Sequence, residues 1–310
     1  MNVLLVHSGN AVSKSCEYTF VREQGEALRN IGINVFYFAV KGKGSKGYLS
    51  SLCGLKESIK NNHIDLVHAH YGLCGALSVL QRKVPVVITF HNGETLTSKG
   101  KLISSIAAWL SKYNVFVAQH IHDSLFPVPK LYSIIPCGID LNQLPIIDKD
   151  KAVDSMGLRK DIPNILFGGS FTNARKNYPL AKEATSLLPY KVNLIEMKGF
   201  TRSQVNMLLC GCDVFLMPTK SEGSPQVVKE ALACNCPIVA TGVADIPVLL
   251  SGVSECYTTG FDAVEIADRI DTIIKAGKRS NGRQKVIALK LDNPQVALRI
   301  KRIYENVLKK

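Results

Sequence analysis

Short apolar runs recur along this chain, each followed by an amphipathic stretch of helical period, and that alternation limits the folds open to it more than any other feature. The runs NVLLV (2–6), NVFYFAV (34–40), DLVHAH (65–70), PVVITF (85–90), NVFVAQ (114–119) and YSIIP (132–136) are separated by segments such as VREQGEALRNIG (21–32) and LSSLCGLKESIKNN (49–62). Runs without two-residue alternation, set between helices, describe strands buried on both faces of a parallel sheet. After IIPCGIDLNQLPIIDKD (134–150) the pattern restarts with NILFGGS, KVNLIEMKG, DVFLMP and CPIVAT. Two α/β units therefore follow one another, joined by a Pro- and Asp-containing stretch near 140–160. The spacing predicts a first domain over 1–150, a second over 151–293, and a final helix over 294–310 that packs back on the first. At 310 residues each half is long enough to bury its own core.

In open parallel sheets the ligand site lies beyond the carboxyl ends of the strands. The polar residues gather there: His7 after VLLV, His68 and His70 closing DLVHAH, His91 after VVITF, Ser170 and Asn173 after ILFGG, and Thr219 to Ser224 after VFLMP. A single histidine is more often a satisfied structural group than a ligand. Several at equivalent positions point to one shared site.

The segment SEGSPQVVKEALACNCPIVAT (221–241) places Glu222 and Glu230 around the start of a helix, seven residues between them. Ser224 reads as the N-cap and Pro225 as the first helical residue, with Val227, Val228, Ala231 and Leu232 as the buried stripe. Asn235 and Pro237 end the helix. Glu222 then lies in a loop beside the amides around Gly223 to Gln226, which suit an anion such as phosphate. Glu230 lies about two turns in, within reach of a ligand docked there. Carboxylates can grip paired sugar hydroxyls. Equally, Glu230 can pair with a neighbouring cation while Glu222 is simply exposed. Spacing alone leaves both readings open.

This segment resembles the E-x7-E motif of retaining glycosyltransferases of family 4. DLVHAHYG, PVVITFHNGE, SIIPCGIDLNQL, GGSFTNARKN and GCDVFLMPTKSEGSPQVVKEALACNCPIVAT resemble that family's successive blocks, in its order. The resemblance implies the GT-B fold, two Rossmann-like domains with a cleft between them, and sugar transfer from a nucleotide-sugar donor with retention at the anomeric carbon. It implies Glu230 on the donor ribose, Glu222 beside the donor hexose, and Gly223, Ser224 and Gln226 around sugar and phosphate. His91 is implied near the transferred sugar, and Lys176 on the diphosphate. The sequence departs from the pattern twice. Ser170 stands where many members carry an arginine, a charge Arg175 is placed to replace. The first loop reads HSGNAVS, with Gly9 alone instead of paired glycines. No cofactor beyond the nucleotide sugar and no metal is expected.

Composition narrows the partners. No window reaches the roughly 18 apolar residues of a membrane span, and MNVLLVHSGN reads as a first strand, not a signal peptide. Nine cysteines without a CxxC pair suggest reduced thiols and a cytoplasmic protein. Cys210/Cys212 and Cys234/Cys236 are spaced too tightly for a zinc site. Asp148 and Asp150 in LPIIDKD superficially resemble the metal-binding DxD of the other large transferase fold, but no strand follows. The net charge is +13, and residues 278–310 carry ten Lys/Arg against Asp292 and Glu305. With Lys41, Lys43 and Lys46, and the helix KLISSIAAWLSK (101–112), this favours a glycan or lipid-phosphate-linked acceptor and a peripheral contact at an anionic inner membrane face. Solvated helix faces read equally well. A nucleic-acid binder would need a reading module that the sequence lacks. A nucleotide-sugar 2-epimerase and a non-catalytic subunit of the same fold are the alternatives to a transferase in polysaccharide or glycolipid synthesis.

Overall fold

The computed structural model describes residues 1–9, 19–42, 44–92, 97–127, 129 and 131–309, with Thr19 and Ser45 by backbone alone. Lys43, residues 10–13 of the first loop, and Gly93 and Glu94 of HNGE lie outside the described residues. The elements are β1 (Asn2–Ser8), α1 (Thr19–Arg29), β2 (Asn34–Val40), α2 (Gly44–Ser50), α3 (Leu52–Asn61), β3 (Leu66–His70), α4 (Gly72–Val79), β4 (Val86–Phe90), α5 (Ser98–Leu110), β5 (Tyr113–Phe116), α6 (Gln119–Asp123) and β6 (Tyr132–Ile134). They continue with α7 (Lys149–Met156), β7 (Asn164–Phe167), α8 (Tyr178–Ser186), β8 (Asn193–Glu196), α9 (Arg202–Gly211), β9 (Val214–Met217), α10 (Gln226–Ala233), β10 (Ile238–Thr241), α11 (Ile246–Leu250), β11 (Cys256–Thr259), α12 (Ala263–Ala276), α13 (Gly282–Ala288) and α14 (Asn293–Leu308).

The chain divides into two units, Met1–Gly138 with Asn293–Lys310, and Ile139–Asp292. The first holds a parallel sheet ordered β2-β1-β3-β4-β5-β6, the second a parallel sheet ordered β11-β10-β9-β7-β8. Residues 139–150 belong to the second unit because Ile139 and Leu144 are buried in its core and Ile139 N–H donates to Leu291 O. The final helix belongs to the first unit. Val296, Ile300, Ile303 and Val307 recur at helical spacing and pack with Val3, Leu5, Leu66, Val87 and Val115.

Both sheets reverse strand order beside their first strand, between β1 and β3 and between β7 and β9. Loops leave in opposite directions at such a point and open a crevice past the strand carboxyl ends. In the second unit those ends lead into Gly168–Ser170 and into Thr219–Ser224.

Arg279, Arg283, Arg299 and Lys301 of the basic tail are bonded to backbone carbonyls of the fold. Arg279 donates to the carbonyls of Leu209, Cys212 and Cys234, at the ends of α9 and α10. Arg283 donates to Ala233 O, Leu144 O and Leu141 O. A guanidinium at helix carboxyl ends satisfies orphan carbonyls and complements the dipole. Arg299 and Lys301 donate to Ile134 O and Ile31 O.

Candidate active site

Lys176 is held by the loop that leaves β7. Gly168 and Gly169 end the strand, and a Cβ on Gly169 would stand 2.8 Å from Lys176 Cγ, so the lysine stem lies directly over bare backbone. The side chain of Asn173 accepts from Arg175 N–H and Asn177 takes the left-handed conformation (φ 60°), which turns Ala174–Lys176 into one tight 3-10 turn. From there Lys176 Nζ donates to Glu222 Oε1 at 2.8 Å, and Arg175 Nη1 stands 3.5 Å from Oε2. Glu222 is only 9% exposed. Thr219, fully buried, places its hydroxyl 3.1 Å from Glu222 Oε1, and its own carbonyl accepts from Thr241 Oγ1. Three donors thus converge on one buried carboxylate at the reversal point of the sheet.

The start of α10 differs from the sequence expectation. Its first residue is Gln226 and its N-cap is Pro225, which has no side-chain donor or acceptor to offer. Ser224 is not the cap, because its hydroxyl donates to Asp245 Oδ2 at 2.5 Å. Val228, Ala231 and Leu232 are buried as expected, whereas Val227 is half-buried. The helix ends at Cys234, and Asn235 follows with φ 52°. Lys229, between the two glutamates, is fully buried, and its ammonium donates to Gln226 Oε1 at 3.1 Å.

Glu230 accepts from Arg202 Nη2 at 3.2 Å. Burial raises its carboxyl pKa above the usual range, while Arg202 and Lys229 pull it back. The neighbours of Ser170 are different again. Its hydroxyl donates to Glu196 Oε1 at 2.7 Å, beside the Phe171 amide at 2.8 Å. Those two bonds lower the Glu196 pKa. Ser170 is therefore bonded to the end of β8, and Arg175, not Ser170, is the second cation-bearing position at Glu222.

Asp148 and Asp150 open a helix. Asp148 caps α7 by accepting from Lys151 N–H, and Asp150 lies in its first turn. Among the described residues no group of three His, Cys, Asp or Glu is arranged to hold a metal ion.

The first unit brings together the histidines that end its strands. His68 is fully buried, with Nδ1 2.6 Å from Tyr304 Oη of α14 and Nε2 2.7 Å from Thr89 Oγ1. Its ring stacks on His70, and His70 stacks on His91. His70 Nδ1 lies 3.0 Å from His91 Nε2, and His91 Nδ1 is 3.6 Å from Cys137 Sγ. Burial, aided by His91, pushes His68 down to about 3; burial with His68 and His7 holds His70 well below its ordinary value. His68 and His70 are neutral at pH 7, so in the His70–His91 bond one ring donates and the other accepts. Gly9 donates its N–H to Val40 O at 2.7 Å, and a Cβ there would lie 2.9 Å from that oxygen.

Sequence models place these features in a family. Residues 16–143 match Glycosyltransferase Family 4, and residues 162–276 match Glycosyl transferases group 1. The chain belongs to the family 4 type of glycosyltransferases. It is 26% identical over 262 residues to the putative teichuronic acid biosynthesis glycosyltransferase TuaC of Bacillus subtilis (strain 168), covering 73% of this chain and 67% of that one. It is 23% identical over 240 residues to the UDP-Gal:alpha-D-GlcNAc-diphosphoundecaprenol alpha-1,3-galactosyltransferase of Escherichia coli, covering 63% and 62%. It thus spans about two thirds of the length of those relatives. Among solved structures, a sucrose-phosphate synthase from Thermosynechococcus elongatus superposes with a TM-score of 0.81 at 18% identity, covering 99% of each chain. HepE from Anabaena, in complex with UDP and glucose, superposes at 0.79 with 15% identity, covering 98% and 99%. The architecture is GT-B.

In this glycosyltransferase the sequence singled out Lys176, Arg175 and Glu222, and the structure brings all three together. It places Glu230 in the second turn of α10, bonded to Arg202. Arg202, Glu196, Asp245 and Lys229 escaped the sequence reading. The first three lie on elements 21 to 28 residues away from the groups they bind. The one signal for the buried Lys229 was its place beside Val228 of the buried stripe.

Proposed function

We propose that this chain is a retaining glycosyltransferase that moves a hexose-type sugar from a nucleoside-diphosphate sugar to a glycan or lipid-linked acceptor, in surface polysaccharide or glycolipid synthesis. The observation that carries the reading is the convergence of Lys176 and Arg175 on Glu222, at the strand ends where the second sheet reverses order. A nucleoside diphosphate leaves with its charge growing on the bridging oxygen. A fixed cation in a water-poor site stabilises that charge most effectively.

Lys176, with Arg175, supplies that cation. Glu222 accepts from a hexose hydroxyl once the diphosphate draws Lys176 towards itself. Glu230 takes the ribose hydroxyls, and the backbone at Gly223, Ser224 and Gln226 surrounds sugar and phosphate with N–H groups. His91 contacts the transferred sugar, and Gly9 leaves room for donor or acceptor in the first unit. The bond from the anomeric carbon to the phosphate oxygen breaks as the acceptor oxygen bonds from the same face, and the departing phosphate oxygen takes the acceptor proton. No carboxylate nucleophile of the kind used by retaining hydrolases is needed. Two cations already meet the departing charge, so the reading includes no metal ion.

The names of the relatives support the substrate class: TuaC is assigned to teichuronic acid synthesis, the Escherichia coli enzyme acts on a diphosphoundecaprenol-linked sugar, and HepE is described with UDP and glucose. A cytoplasmic location, with peripheral contact at the inner membrane face, belongs to the same reading. No helix of the described residues is long and apolar enough to cross a membrane.

A thermal-shift screen against nucleotides and nucleotide sugars tests the donor. A ligand at a hundredfold excess over its Kd adds about 2.7 kcal/mol of stability. Transfer is then followed by NMR of the product's anomeric proton. Inversion at that carbon rejects retention; epimerised donor in the absence of acceptor makes the chain an epimerase; donor binding without turnover leaves a non-catalytic subunit. Activity lost to a chelator and restored by manganese rejects the metal-free mechanism.

A further inference from the structure

Helix α5 is built inside out. Its buried face carries Ser104, Ser105, Ala107 and Ala108, whereas Leu102, Ile106, Trp109 and Leu110 point outward and are 62%, 52%, 71% and 51% exposed. A helix of a soluble domain buries its large apolar residues and exposes its small and polar ones. The reversal follows from the helix beneath it. A Cβ on Gly72 of α4 would fall 1.9 Å from Ser104 Oγ, so the two helices approach too closely for anything but small side chains between them. The four exposed residues recur at three- and four-residue spacing and therefore form one continuous stripe.

The apolar surface extends past the helix. Phe126, 86% exposed, is anchored beside α5 by its N–H, which donates to Ser105 Oγ. Leu80, Leu110 and Leu308 line one cavity of about 680 Å³ together with Arg82, Lys83 and Lys112. An exposed apolar surface with a polar rim marks an interaction site.

The stretch that carries this surface is strongly basic. Between Asp65 and Asp123 the only acidic residue is Glu94, against Arg82, Lys83, Lys99, Lys101 and Lys112. All five of these cations are exposed. A second copy of the chain would bring this basic rim against itself across a two-fold axis, where like charges repel. A bilayer with anionic headgroups complements it. Tryptophan is favoured at a membrane–water interface, and Trp109 is the most exposed residue of this stripe. At 13 residues the helix is too short to span a bilayer, and its exposed apolar stripe can lie in the interface.

We propose that the outer face of α5, with Phe126 and the cavity rim formed by Arg82, Lys83 and Lys112, docks the first unit onto an anionic phospholipid surface. The proposal deepens the membrane part of the reading above and is independent of the sugar chemistry. Trp109 is the chain's single tryptophan, so the site carries its own probe. The full chain is mixed with vesicles of phosphatidylcholine alone or with added phosphatidylglycerol, and tryptophan emission and vesicle sedimentation are recorded. The anionic vesicles should shift the emission to shorter wavelength, shield Trp109 from an aqueous quencher, and sediment the protein, with the effect falling as salt rises.

A Leu102→Ser/Trp109→Ser variant, altered only at outward positions, should bind these vesicles at least about tenfold more weakly. Lys101→Glu and Lys112→Glu should each weaken binding by about fivefold or more. Far-UV circular dichroism and the nucleotide-induced thermal shift of all three variants should match the parent chain. Unchanged emission with anionic vesicles at low salt overturns the proposal. So does equal binding to neutral vesicles, or a lipid-free dimer that itself buries Trp109. A chain that binds vesicles but neither binds nor turns over any nucleotide sugar would retain this surface and reject the function above.

Discussion

Replacing Lys176 by alanine separates its structural role from its chemical one. Lys176 and Glu222 are 14% and 9% exposed and share one bond of 2.8 Å, so the pair is scarcely screened by solvent. Losing one partner of a buried pair costs about 3–5 kcal/mol when the other charge is left alone. Glu222 is not left alone: the Thr219 hydroxyl remains at 3.1 Å and Arg175 at 3.5 Å. The loss is therefore closer to that of one charged hydrogen bond, about 2 kcal/mol. In a chain with units of this size that lowers Tm by about 4–8 °C. Turnover should fall much further, by about 10²–10³ in kcat, as when one charge-stabilising donor is removed from an active site. Release of nucleoside diphosphate from donor, measured well below the lowered Tm, reads the second effect without the first. The variant Lys176→Ala/Glu222→Gln should regain stability, because no buried carboxylate is stranded, and should stay inactive. Near-normal turnover by Lys176→Ala with the full stability loss would make this lysine a structural partner of Glu222 and nothing more.

Three other outcomes follow from the geometry. Burial raises the Glu230 pKa, so the ionised carboxylate costs the fold stability that is intact below the unfolded pKa and lost as pH rises through the folded one; Glu230→Gln should melt higher than the parent chain at pH 7, equal it near pH 4, and bind nucleotide more weakly, all read by thermal shift. His68 is held down to about 3, so the stability of its neutral form is complete above its unfolded pKa near 6.5 and is lost as pH falls; urea unfolding should show a loss of about 1.7 kcal/mol between pH 6.5 and pH 5 from this residue, reduced in His68→Gln. A methyl group on Gly169 would meet the Lys176 stem at 2.8 Å, and Gly169→Ala should shrink the nucleotide-induced thermal shift and the turnover together while Ser170→Ala, altered at a group bonded to Glu196, should affect them less.

Much of the fold was legible because its signal is local and repeated. Ten of the eleven strands announce themselves as short apolar runs between helices, the pattern of a parallel sheet, whereas β11, with the sequence CYTT, gives no such signal. The junction was harder. IIPCGIDLNQLPIIDKD looks like a linker from its prolines and aspartates, yet Ile139 and Leu144 bury their side chains in the second unit. The basic tail shows the same limit. A run of Lys and Arg reads as a surface charge, but Arg279 and Arg283 are consumed by carbonyls at the ends of α9 and α10. No count of charges distinguishes a guanidinium facing solvent from one facing a helix end.

At the candidate site, spacing alone left Glu222 and Glu230 undecided, and it was the order of blocks along the chain that gave them roles. The structure adds what spacing omits, the partner of each carboxylate. Lys176 reaches Glu222 with its stem lying over Gly169 at the end of β7, where a side chain would collide with it, and Arg202 reaches Glu230 from the first turn of α9, 28 residues away. Ser224 follows the same logic in reverse: every local rule makes it a helix cap, and a bond to Asp245 takes it elsewhere. Helix α5 shows the same dependence on a distant residue. Its sequence alternates small and large apolar residues, so periodicity identifies a helix with two faces and does not say which is buried. Gly72 decides it, 32 residues upstream of Ser104, by admitting only small side chains and turning Leu102, Ile106, Trp109 and Leu110 outward.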